Sequence, residues 1–121
     1  MKNFKSLLIW QKSMSLVTET YLITKEFPKE EIFGLTSQIR RSSISIPSNI
    51  AEGFGRDGNK EFLRFLKISL SSLFEYQTQI EISKNINYLN EHQFNKLHEF
   101  SRELEAMLVS FIKKIEESKK T

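Results

Sequence analysis

Cysteine is absent from this sequence, which excludes disulfides, thiolate metal sites and thiol nucleophiles and fits a reducing compartment. Proline occurs twice and glycine four times in 121 residues, so turns are scarce and long helices with few connections are expected. Long apolar runs are missing as well. The longest near the start, Leu7 to Trp10, stops at Gln11 and Lys12, too short for a signal-peptide core or a membrane span. A cytoplasmic protein with no membrane contact is the expectation, and a chain of this length holds one domain, 1–121, around a single core.

What is present is helical periodicity. Leu7, Trp10, Met14, Val17 and Tyr21 recur at three and four residues and predict a first helix over about 7–25, with Ile9, Leu16 and Ile23 forming a second row every seven residues. Phe27-Pro28 stops it, because proline disfavours helical geometry in the residue before it. Ile32 and Phe33 are expected to tuck against a bundle end, and Thr36 or a neighbour to cap the next helix, over about 36–55.

That second helix keeps its stripe, Leu35, Ile39, Ser43, Ile46, Ile50 and Phe54, straight through Pro47. An interior proline costs roughly 3 kcal/mol, so the unbroken stripe implies a kinked helix held by tertiary packing. Ser42, Ser43, Ser45 and Ser48 supply local hydroxyl bonds around the carbonyl that Pro47 leaves unpartnered, and their small size permits close approach of another helix.

Asn59 is a plausible cap for a third helix over about 60–85, whose stripe Phe62, Leu66, Ser69, Leu73 and Ile80 is flanked on one side by Phe65 and Tyr76 and on the other by Leu63, Leu70 and Phe74. That arc is wider than one packed face needs. Asn90 with Gln93 resembles a capping box for a fourth helix over about 91–116, where Phe94, Leu97, Ser101, Leu104, Leu108, Phe111 and Ile115 follow a seven-residue repeat. A polar tail from Glu116 to Thr121 is expected to fray. The reading is all-α, an antiparallel up-down-up-down four-helix bundle with a proline-kinked second helix.

Gly53-Phe54-Gly55-Arg56-Asp57-Gly58 matches G-x-G-x-x-G, but that motif binds dinucleotides only between a strand and a helix. His92 and His98 lack the Glu-x-x-His context of a bundle metal site. Asn49 and Glu52 form a polar pair beside Pro47, read chiefly as structural, with Glu52 in range of Arg56. No catalytic residue, cofactor or metal is expected.

Charge is unevenly placed. Residues 36–67 carry six cations against three carboxylates, while the flanking segments carry five against four and seven against eight. Lys60, Arg64 and Lys67 share a helix face and Arg40, Arg41 and Arg56 come from the helix before it, an arrangement able to track nucleic-acid phosphates.

The segment QIRRSSISIPSNIAEGFGR, with Leu8 to Lys12, Phe27-Pro28 and Phe62 to Glu75, resembles the 23S rRNA-intervening sequence proteins. The resemblance implies a small four-helix bundle without established enzymatic activity, and it extends to the accessory protein of diversity-generating retroelements, a basic pentameric barrel that works with a reverse transcriptase and nucleic acid. It therefore implies a homopentamer. The surplus apolar positions Ile9, Leu16, Ile23, Leu63, Leu70 and Phe74 are expected at the subunit interface, and the expected partners are RNA or DNA, or a protein in an adaptor role.

Overall fold

The computed structural model describes residues 3–118. A 3-10 turn, Phe4–Ser6, leads into α1 (Leu8–Thr24), and a second such turn, Lys29–Glu31, precedes α2 (Leu35–Phe54). The helices α3 (Gly58–Asn85) and α4 (Glu91–Ser118) follow. Each helix packs beside its sequence neighbours, and α1 closes the ring against α4. Bridging contacts run in opposite directions along each pair. Lys12 meets Glu103 while Glu19 meets Lys96, and Ser42 meets Gln79 while Ser45 meets Ser72. The chain is an antiparallel four-helix bundle whose α4 carries three residues of the expected tail, with 119–121 outside the described residues.

The core is a layered column of Leu16, Ile39, Ile46, Ile50, Leu66, Leu73, Tyr76, Ile80, Leu97, Leu104 and Leu108, all essentially sealed from solvent. On α2, α3 and α4 these are the positions that apolar periodicity marks. On α1 they are not. Its buried face is Ile9, Ser13, Leu16, Thr20 and Thr24, whereas Trp10, Val17 and Tyr21 are half-buried and Met14 is exposed. The physical reason lies in the hydroxyls. Ser13 donates to the Trp10 carbonyl (2.8 Å), Thr20 to Leu16 (2.7 Å) and Thr24 to Thr20 (2.7 Å), so each is satisfied by its own helix and enters the core without an orphaned polar atom.

This narrows the expected interface. Ile9, Leu16 and Leu63 are buried in the chain's own core, and Ile23 and Leu70 pack half-buried against it. Of the six, Ile23, Leu70 and Phe74, the last 45% exposed, keep surface open to a partner.

Pro47 lies buried inside a helix that continues through it. Side-chain donors gather at the carbonyls around it: Ser43 Oγ on Arg40, Asn49 Nδ2 on Ser45 (2.8 Å) and Ser69 Oγ from α3 on Ile46 (2.9 Å). These bonds reach the flanking carbonyls rather than that of Ser43. Close approach is enforced further along, at Gly53, where an added Cβ would lie 2.5 Å from the Cβ of Phe65 on α3.

Helix ends depart from expectation in three places. Gly34, not Thr36, occupies the start of α2, and the Glu31 carboxylate accepts the Leu35 N–H (3.0 Å). Thr36 is in the first turn. The helix α3 starts at Gly58, with Asp57 rather than Asn59 before it, and Gly58 adopts a positive φ of 81° that a side chain would strain. Ile32 and Phe33 are 48% and 95% exposed rather than tucked in, because the segment is tied down by polar contacts through Glu31 to Leu35 and to the Tyr88 hydroxyl. The start of α4 behaves as its residues imply: Asn90 Oδ1 accepts the Gln93 N–H and Gln93 Oε1 accepts the Asn90 N–H, a reciprocal capping box.

Candidate nucleic-acid interface

The six candidate cations do not form one patch. Arg40 and Arg41 lie in the first half of α2, and Arg56 follows its end, so roughly 20 Å of helix separates the two groups at about 1.5 Å per residue. The second group is compact. Arg56 and Arg64 both place their guanidinium groups over the Phe65 ring, 5.1 and 4.5 Å from its centroid, which gathers two charges around one aromatic ring. Lys60 and Lys67 extend the row along α3.

Most of this charge is already answered. Arg56 donates to Glu52 (2.9 Å), Arg64 grips Glu61 through two bonds of 3.2 Å, and Lys67 pairs with Glu116 of α4 at 3.1 Å. Arg64 holds the Glu61 carboxyl below its ordinary range by hydrogen bonding, and Glu61 raises Arg64 in return. Lys60 and Arg41 are exposed and have no carboxylate partner among the described residues. Phosphates reaching this surface compete with carboxylates for Arg56, Arg64 and Lys67 but meet Lys60 and Arg41 uncontested.

Asn49 and Glu52 separate into unrelated roles. Asn49 donates to the Ser45 carbonyl and hydroxyl (2.8 and 2.9 Å), and that hydroxyl meets Ser72 of α3, so the group belongs to the α2–α3 seam. Glu52 is exposed and engaged by Arg56. Neither lines any of four surface pockets of about 260 to 500 Å³. No cluster of three metal-ligating side chains occurs among the described residues, and no helix there is long and apolar enough to cross a membrane. The glycine motif joins two helices, with Gly53 inside α2 and no strand before it.

Sequence reasoning missed a surface of another kind. The outward stripe of α1 meets α2 in an apolar groove of about 320 Å³ floored by Pro47 and lined by Trp10, Met14, Val17, Ile44 and Ala51. A larger depression of about 500 Å³ lies between the start of α1 and α4, lined by Leu7, Leu8, Met107 and Phe111. The spacing of Leu7, Trp10, Met14 and Val17 carries the signal, as an apolar row on one face of the helix.

Comparison with known proteins identifies the family and the fold. The family described as 23S rRNA-intervening sequence protein matches residues 5–110. A crystal structure of a protein of unknown function from the S23 ribosomal protein family of Bacteroides thetaiotaomicron is similar, with a TM-score of 0.80 and 25% identity, over 88% of this chain and 99% of that one. No curated protein matches.

Proposed function

From the premise that this chain belongs to the 23S rRNA-intervening sequence protein family, we propose a non-catalytic, oligomeric four-helix-bundle scaffold that contacts RNA or DNA phosphates through its basic surface. The observation that carries the reading is the outward apolar stripe of α1. Met14 and Ile44 stand 40% and 41% exposed beside the Trp10–Pro47 groove, and covering such a surface with a second copy removes apolar area from water. Repetition of Arg41, Lys60 and their neighbours around a ring multiplies weak phosphate contacts into useful avidity. The family resemblance favours five copies.

Light scattering followed by titration with structured RNA at two salt concentrations tests this. An oligomer whose RNA affinity falls steeply with salt supports the scaffold. A monomer overturns the assembly, and an RNA affinity unchanged in Arg41→Glu with Lys60→Glu overturns the basic surface. The second reading, a protein adaptor without nucleic acid, is favoured by the carboxylate partners of Arg56, Arg64 and Lys67 and by the exposed Phe33. An oligomer that ignores RNA at low salt and retains a protein partner after nuclease treatment selects it.

A further inference from the structure

At the opposite end of the bundle from Arg56 and Lys60, the end of α1 and the start of α2 enclose a pocket of about 260 Å³. Its lining includes three cations, Lys25, Lys29 and Arg40, two threonines, Thr24 and Thr36, and no carboxylate. The cations differ from those near Phe65. None of the three forms an ion pair among the described residues.

Arg40 is held in place. Its Nε donates to Thr24 Oγ1 (3.0 Å) and its guanidinium lies 4.4 Å from the Tyr21 ring centroid, an arrangement that leaves its two terminal amino groups without a protein acceptor. A guanidinium fixed by a hydroxyl and a ring, with its fork unspent, is pre-organised for a bidentate oxyanion. Thr36 supplies an independent observation. It is 3% exposed, and its hydroxyl is the one buried side-chain polar atom without a partner among the described residues. Such an atom carries an unmet desolvation cost until something bonds to it. It sits in the first turn of α2, where the helix dipole favours negative charge. Two carboxylates, Glu30 and Glu31, stand in the turn before that helix and neither lines the pocket; Glu31 has both oxygens occupied, by the Leu35 N–H and the Tyr88 hydroxyl.

We propose that this pocket binds a phosphate monoester, gripped by Arg40, neutralised by Lys25 and Lys29, and hydrogen-bonded by the Thr36 hydroxyl. Phe27, Pro28 and Ile32 form an apolar wall for the group esterified to it. The site is distinct from the surface near Phe65 and goes beyond the scaffold reading, which stands or falls without it.

The test follows thermal unfolding of the full chain in inorganic phosphate and in sodium chloride of matched ionic strength. Phosphate is expected to raise the melting temperature beyond chloride, because a ligand bound only by the folded state stabilises it. Arg40→Gln with Lys29→Gln is expected to weaken phosphate roughly tenfold or more. Thr36→Val guards against a folding artefact: the ligand-free protein melts no lower than the parent, while phosphate affinity falls several-fold. Equal melting in phosphate and chloride, or an undiminished phosphate effect in both variants, overturns the site. Competition by one oligonucleotide with a 5′-phosphate and with a 5′-hydroxyl distinguishes the source. Preference for the phosphorylated end places a nucleic-acid terminus in the pocket, and no preference with phosphate still bound identifies a free small phosphate.

Discussion

Helices α1 and α4 lie side by side, tied by Lys12 to Glu103 and by Lys96 to Glu19, yet they meet the core in opposite ways. The helix α4 buries what is apolar, Phe94, Leu97, Leu104, Leu108 and Ile112, with Ser101 as the one hydroxyl. The helix α1 buries Ser13, Thr20 and Thr24 beside Ile9 and Leu16, and turns Met14 and part of Trp10 outward. The difference teaches that apolar periodicity marks the faces a helix wants covered, without saying which of them its own chain covers. A Ser or Thr that bonds its own helix carbonyl is small and satisfied, so a column of them packs inward at little cost. The apolar face then displaced to the outside becomes the candidate contact surface.

The largest expected effect breaks the inward side of that comparison. Leu104→Ala removes a fully buried α4 side chain and is expected to cost about 2–5 kcal/mol in chemical denaturation, whereas Met14→Ala costs well under half of that in the monomer. Equal losses would show that the outward stripe of α1 is core after all. Next comes Gly53→Ala, whose Cβ collides with Phe65 and is expected to cost about 1–3 kcal/mol as the α2–α3 seam opens, measured by the same unfolding curve.

The polar side of α1 has a smaller signature. Thr20 meets the Tyr76 hydroxyl at 2.6 Å across the core, and Tyr76→Phe is expected to cost about 0.5–1.5 kcal/mol at neutral pH. Burial pushes the Tyr76 phenol well above its ordinary value. In the unfolded chain that phenol ionises near pH ~10 while the folded chain keeps it protonated, so its stability contribution is whole below that pH and is lost as pH rises above it. Tyr76→Phe flattens this alkaline decline. A slope unchanged in the variant would assign the decline to other groups.

The smallest expected change in folding, with the largest in assembly, belongs to the outward face. Met14→Glu with Ile44→Glu is expected to leave monomer stability within about 0.5 kcal/mol per site while lowering the mass seen by light scattering. An oligomer that survives both charges does not use the Trp10–Pro47 groove.

Much of the candidate site was legible only as composition. The six cations are visible in the chain, but their separation by most of α2 and the partners of Arg56, Arg64 and Lys67 depend on side chains brought from elsewhere, such as Glu116 from α4. Arg40 is marked in the sequence by its charge and Thr36 as a candidate cap, while Lys25 and Lys29 belong to no pattern there. Their convergence requires the turn after Phe27-Pro28 and the capping of α2 by Glu31 in place of Thr36.

Four helices, their order and their ends within a residue or two follow from local rules: three-four spacing, a proline stop, and a capping box at Asn90 and Gln93. These interactions span a few residues and can be read along the chain. Which face of α1 turns inward, how closely Gly53 lets α2 approach α3, and which cations keep their charge unspent were decided only when the helices packed. Each depends on atoms distant in sequence, where satisfied hydroxyls, a missing Cβ and a borrowed carboxylate outweigh the hydrophobic pattern of any one helix.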